Sequence, residues 1–309
     1  MKMTAIRLAW HQHPPADCTG GAVTIGNFDG VHLGHRALID AAKRAGRPAI
    51  VVTFDPPPLA ILHPAAVKPP LSTTDDKVKW ALQAGADRVV TLTTDPALLS
   101  LSPEAFFEDI ILRQFQAKTI VEGVDFRFGR RREGDVLLLD RLAREAGIAC
   151  QIVPPVEFKG EAASSSRVRQ CLTSGHVQQA ATLLARPYSI TGTVVAGAKR
   201  GRTIGFPTAN LDRVPTLVPG VGVYAGQVEI DGRTYAAAAN IGPNPTFGED
   251  ERKIEIHVID FTGDLYGRTL AFDFLDRIRD TQPFASVDEL KARLQLDIAV
   301  AREIVAGGS

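Results

Sequence analysis

Residues Thr24 to His35 read TIGNFDGVHLGH, with two histidines three positions apart and three glycines among them. The stretch passes from an apolar strand through the turn Asn27-Phe28-Asp29-Gly30 into a helical pattern. Free backbone N–H groups and the positive end of the helix dipole favour an anion at such a junction. Gly26, Gly30 and Gly34 let the backbone approach a phosphate closely. His32 and His35 lie about one helical turn apart, so both rings can point to one side. Their N–H groups can donate to phosphate oxygens, and any positive charge would help more as negative charge builds. Phosphate binding is therefore the chemistry expected here. A zinc site is not, because no third and fourth ligand accompany the pair at the usual spacing. Neither a GxGxxG dinucleotide loop nor a GxxxxGK[ST] loop is found in the stretch.

Other residues bear chemistry with less definition. Ser165, Ser166 and Arg167 place hydroxyls and a guanidinium ahead of a helical pattern, a clamp for a triphosphate or an ordinary helix cap. Asp125 stands in a glycine-flanked segment with Phe126 and Phe128, a pair that core packing alone explains. Arg130, Arg131 and Arg132 form a basic run, by default a solvated loop. GAKRGRTIGFPTANL, Gly197 to Leu211, carries Gly197, Lys199, Gly201 and Arg202 in a loop suited to phosphates. Thr208 and Asn210, two apart in an extended segment, can face one way and offer oxygens to magnesium. A turn whose Thr and Asn satisfy backbone groups is the simpler account from chemistry alone. In Ile254-Glu255-Ile256-His257 the alternation sets Glu255 and His257 opposite Ile254, Ile256 and Val258.

Two kinds of element must hold these residues. From Ala22 to about Ala185, short apolar strands alternate with helical patterns. AVTIGNF, AIVVTF, DRVVTL and KTIVEG read as buried strands; a helix is expected over Leu33 to about Ala45, and Ser102-Pro103-Glu104 reads as a helix start. That alternation predicts a doubly wound parallel α/β sheet. Past LLARPYS the style changes. GVYAGQVEI and RTYAAAANI flank an Asp231-Gly232 hairpin turn, and IEIHVIDF and RTLAFDFL follow as further strands. This predicts a small antiparallel β-barrel, then a C-terminal helix started by Ser286 and Glu289, with Leu290, Leu294, Ile298 and Ala301 on one face. Domains of residues 1–185 and 186–309 are expected.

Composition bounds the function. With 35 Lys plus Arg against 35 Asp plus Glu, the basic excess of a dedicated nucleic-acid binder is missing. Cys18, Cys150 and Cys171 form neither a CxxC pair nor a disulfide framework. No signal-like start and no apolar run of membrane-spanning length is seen, so a cytoplasmic protein without membrane or nucleic-acid partners is expected.

GNFDGVHLGH resembles the nucleotidyltransferase signature in which an HxGH pair holds the ATP phosphates. VEGVDFRFG (Val121 to Gly129), SSSRVR (Ser164 to Arg169), GFPTANL, Gly222-Val223-Tyr224-Ala225, Asn240-Ile241-Gly242 with Pro245-Thr246-Phe247-Gly248, and Asp264-Leu265-Tyr266-Gly267 extend the likeness. In order and spacing they resemble the bacterial bifunctional riboflavin kinase/FMN adenylyltransferases, also called FAD synthetases. The resemblance implies a Rossmann-like nucleotidyltransferase domain followed by a riboflavin kinase-like barrel. It implies ATP as co-substrate, Mg2+ as cofactor, and riboflavin, FMN, FAD and ADP as the molecules handled. It implies ATP contacts from Gly26, Asn27, Phe28, Asp29, Gly30, His32, Gly34, His35, Asp125, Ser165, Ser166 and Arg167. Asp125, Phe126 and Phe128 would contact flavin. Gly197, Lys199, Gly201 and Arg202 would cover the second ATP, Thr208 and Asn210 would hold magnesium–ATP, and Glu255 would act as base. This chain has Pro57 where the family often has histidine, and Ser166 where it usually has threonine. Adenylylation of another phosphate acceptor, or flavin or nucleotide sensing without turnover, are the competing expectations.

Overall fold

The computed structural model describes residues 6–197, 201, 204–244 and 249–307. They form two compact units, Met1–Ser164 and Ser165–Ser309.

In the first unit, β1 (Ile6–Ala9), β2 (Ala22–Ile25), β3 (Ala49–Asp55), β4 (Arg88–Thr93), β5 (Thr119–Gly123) and β6 (Ala149–Val153) make one sheet in the order β1-β4-β3-β2-β5-β6. Every pairing is parallel. The helices are α1 (Leu33–Ala45), α2 (Pro58–Leu62), α3 (Thr74–Gln83), α4 (Pro96–Ser100), α5 (Pro103–Phe106), which runs on as a π-helix over Phe107–Gln114, and α6 (Val136–Glu145). Strand β3 shows why its run is apolar throughout. Ile50, Val52 and Phe54 enter a core with Phe107, Ile110 and Leu139, while Val51 joins a second core with Ile39 and Val78. A strand covered on both faces has no polar side. Ser102 caps α5 by accepting the Ala105 N–H, as its position before Pro103 predicts. A two-strand hairpin, β7 (Glu157–Phe158) with β8 (Glu161–Ala162), completes the unit.

The second unit opens with α7 (Ser165–Thr173) and α8 (Val177–Leu184). Then β9 (Tyr188–Val195), β10 (Ala209–Asp212), β11 (Gly222–Ile230), β12 (Arg233–Asn244), β13 (Glu249–Val258) and β14 (Thr269–Arg279) close a barrel in the order β10-β13-β12-β11-β14-β9. All pairs are antiparallel. The hairpin turn has Asp231 and Gly232 at φ 52° and 77°, the torsions of the primed turn that suits strand twist. The compact units divide at 164/165, ahead of the boundary expected at 185/186. Helix α8 buries Val177, Ala180, Leu183 and Leu184, and it packs on β9 and β14, so α7 and α8 group with the barrel.

Helix α9 (Val287–Gly307) begins where expected, Ser286 Oγ accepting the Glu289 N–H at 3.2 Å. Its docked face also carries an acid. Asp297, 1% exposed, takes a bidentate pair from Arg279 of β14 at 2.7–3.0 Å and a further bond from Arg293 Nε at 3.0 Å. Breaking a buried ion pair from one side strands the other charge. Asp297→Ala is expected to lower stability by about 3 kcal/mol or more, read as a reduced urea midpoint with an unchanged slope.

Candidate functional sites

The turn after β2 is held in torsions that side chains disfavour. Phe28 and Val31 have φ 46° and 44°, and Gly30 has φ 82°. Glycine adopts this region freely, whereas a β-branched residue there is an outlier. Such strain persists only where surroundings over-determine it. Two sets of contacts do so. Phe28 and Val31 are buried with Ile39, Val51 and Val78. The Asp29 carboxylate accepts the N–H of Leu71 at 3.0 Å, the N–H of Ser72 at 3.1 Å and the Ser72 hydroxyl at 2.9 Å. Ser72 Oγ in turn accepts the Gly30 N–H. Asp29, expected to touch nucleotide, thus serves as the brace of the turn. Asn27 is exposed, its carbonyl accepting the Thr53 hydroxyl, and the Gly26 N–H donates to Val52.

The two histidines come together as the spacing predicts. Their rings stack at 3.7 Å between centroids, and the Phe28 ring lies 4.8 Å from that of His35. His32 is the N-cap of α1: its Nδ1 accepts the Gly34 N–H at 3.2 Å, so the proton of the neutral ring sits on Nε2. Gly34 makes this close approach easy, since a Cβ would crowd His32 Cε1 at 3.1 Å and the Ala163 carbonyl at 3.2 Å. Burial pushes His32 down to about 4, against an opposing pull from Asp125. His35 lies well below the usual histidine range, first through burial and then through His32 and Lys77. Both shifts favour the neutral rings in the absence of a bound anion. His35 Nδ1 is shut from solvent and has no hydrogen-bond partner among the described residues.

Asp125 is exposed on the loop after β5, and Phe126 is half-buried beside it. Phe128, also expected to contact flavin, is packed inward. It is 4% exposed within the main core, stacked 5.5 Å from Phe126 and 5.9 Å from Phe106. Sequence reasoning passed over two buried polar residues. Lys77, 4% exposed on α3, acts electrostatically on His35, and Glu122, 2% exposed, is the penultimate residue of β5. An ionisable residue within an apolar helical or strand pattern was the available signal.

In the second unit, Ser165, Ser166 and Arg167 form the first turn of α7. The barrel carries the other candidate site. Asn210 of β10 and Asn240 of β12 both stand in register with Glu255 of β13. Paired residues of adjacent strands share a face. Ile256 and Val258 are buried while Glu255 and His257 are half-buried, as the alternation predicts; Ile254 is half-buried too. His257 Nδ1–H donates to the Pro207 carbonyl at 2.8 Å, fixing the segment that leads into β10. A side chain at Gly197 would collide with the Asn210 carboxamide, and one at Gly201 with the Phe206 carbonyl, its Cβ lying 3.4 Å from the Thr208 hydroxyl. Both glycines therefore lie directly against the two expected magnesium ligands. Thr208 lines an open cleft of about 470 Å³ with Pro207, Ala209, Ile256, Asp264 and Tyr266. Lys199, Arg202 and Pro245–Gly248 lie outside the described residues.

Comparison with known proteins covers both units. A family model described as FAD synthetase matches residues 15–167, and one described as Riboflavin kinase matches residues 184–305. The bifunctional riboflavin kinase/FMN adenylyltransferase of Escherichia coli K12 is 37% identical over 95% of this chain and 95% of its own length. The enzyme of the same name from Bacillus subtilis is 35% identical over 89% of each chain. A Streptococcus pneumoniae crystal structure described as a macrolide-efflux protein superposes with a TM-score of 0.84 at 33% identity, covering 96% of this chain and 98% of that one. With two matched units and this identity along nearly its whole length, the chain belongs to the bifunctional riboflavin kinase/FMN adenylyltransferase family.

Proposed function

We infer that this chain makes FAD from riboflavin in two steps, each an in-line attack at phosphorus. The ribityl 5′-hydroxyl of riboflavin attacks the γ-phosphate of ATP, giving FMN and ADP. The FMN phosphate then attacks the α-phosphorus of a second ATP, giving FAD and pyrophosphate. The observation that carries this reading is the match of two different activities to two separate parts of one chain. Positioning and charge stabilisation supply most of the catalysis in such transfers.

We assign phosphorylation to the barrel. Glu255, flanked in register by Asn210 and Asn240, is the base that takes the hydroxyl proton. The Thr208 hydroxyl and Asn210 carboxamide offer hard oxygens beside Gly197 and Gly201, a donor set that fits Mg2+. That ion would neutralise charge on the ATP phosphates. Among the described residues no cluster of three His, Cys, Asp or Glu could hold a metal. We assign adenylylation to the parallel-sheet unit, where His32 Nε2–H and the His35 ring act as neutral donors to the ATP phosphates. Asp125 and Phe126 face flavin or nucleotide from the loop after β5, while Ser165, Ser166 and Arg167, at the start of α7, keep the phosphate-binding role that the family resemblance implies for them. Such an enzyme works on soluble substrates, which suits the cytoplasm.

Incubation with riboflavin, ATP and Mg2+, separating FMN, FAD, ADP and pyrophosphate over time, tests the reading. FMN and ADP must appear first, then FAD and pyrophosphate. Pyrophosphate release with another phosphate acceptor but not with FMN, or binding without turnover, would replace it.

A further inference from the structure

The parallel sheet opens where its two halves meet. β2 and β5 pair only through Ala22–Thr119 and Val23–Ile120, although β2 runs to Ile25 and β5 to Gly123. Beyond that point a side chain takes over from the backbone ladder. Oε1 of Glu122 accepts the Ile25 N–H at 2.6 Å, across 97 residues of sequence. Glu122 is 2% exposed, so this bond satisfies an amide that would otherwise be orphaned in the core. Ile25 stands directly before Gly26–Gly30, and Glu122 directly before Gly123–Phe128. In doubly wound sheets the crevice at the carboxyl ends of diverging strands is where ligands bind.

Building on the assignment of adenylylation to this unit, we propose that Glu122 is a positioning residue for that step. It is a side-chain latch that fixes the gap between the β2 and β5 loops, and with it the placement of His32 and Asp125 around the nucleotide. The latch has a protonation state. Burial pushes the Glu122 carboxyl well above the usual range, the Ile25 bond opposing and Asp125 adding to the shift. The groups facing it are Asp125 on its own loop and Cys150 on β6, whose thiol is pushed up to about 11, chiefly by burial. With a raised value, the stabilising neutral form is present in acid and is lost as pH rises through the folded value. Ionisation would then put a buried negative charge next to Asp125 and the ATP phosphates.

Wild type, Glu122→Gln and Glu122→Leu should be compared for the kcat and KM of FMN-to-FAD conversion, with riboflavin phosphorylation in the same preparations as control. Leucine, which has no acceptor, should lower the kcat of adenylylation on the order of 10²-fold and leave phosphorylation unchanged. Glutamine keeps the acceptor and should restore adenylylation close to wild type. Should leucine prevent folding, Glu122→Asp, whose shorter side chain withdraws the acceptor from the Ile25 N–H, takes its place with the same expected loss. Full adenylylation in a folded leucine or aspartate variant, or a glutamine variant as impaired as they are, would overturn the proposal. Wild-type protein that makes no FAD from FMN would instead overturn the underlying assignment.

Discussion

Glu255→Gln should stop riboflavin phosphorylation, lowering its kcat by about 10²–10⁴-fold, while FMN is still converted to FAD. Glutamine matches the size of the side chain and retains hydrogen-bonding groups, so the register with Asn210 and Asn240 is preserved. What it cannot do is take a proton from the ribityl hydroxyl. Glu255 is half-buried on the outer side of a strand whose inner residues Ile256 and Val258 hold the barrel together, so the exchange leaves that core untouched. Product separation on one preparation gives both rates. Parallel loss of both activities in a folded variant would sink the assignment of the base.

His35→Ala should have the opposite pattern. Removing one preorganised donor is expected to reduce FMN adenylylation by about 10²–10³-fold without touching FMN formation. The ring also supports its neighbours, packed against both His32 and Phe28, so some loss of stability should accompany the loss of rate. Low folded values for the histidines have a thermodynamic counterpart. Between the ordinary value of 6.5 and about 4 for His32, the unfolded chain binds more protons than the folded one. Stability therefore declines as pH falls through that window. His35→Ala should show a weaker decline, measurable by denaturant unfolding at several pH values. Unimpaired adenylylation in the variant would remove the histidine pair from the mechanism.

Much of this architecture was legible because local chemistry and tertiary role coincide. The helix over Leu33–Ala45 has the expected bounds, and strands β3, β5 and β11 coincide with apolar runs to within a residue. Strands β1, β6 and β9 escaped notice. β1 is a four-residue edge strand, β6 carries exposed positions, and β9 mixes Ser, Thr and Gly with its inward residues. The stacked histidines were readable from spacing alone. The residues that hold them were not, because their partners are remote: Asp29 reaches Leu71 and Ser72, and Glu122 reaches Ile25. Phe128 shows the converse. Read as a residue it belonged to the core, and the structure keeps it there despite the motif around it.

The grouping of α7 and α8 with the barrel bears on how the chain can be dissected. A fragment cut where the sequence changes style, just before Arg186, would strip the barrel of the helix that covers β9 and β14. The hydrophobic partners of Leu183 and Leu184 would then face water, and such a fragment should precipitate. A truncation that starts at Ser165 carries its own cover and is the piece expected to stay soluble.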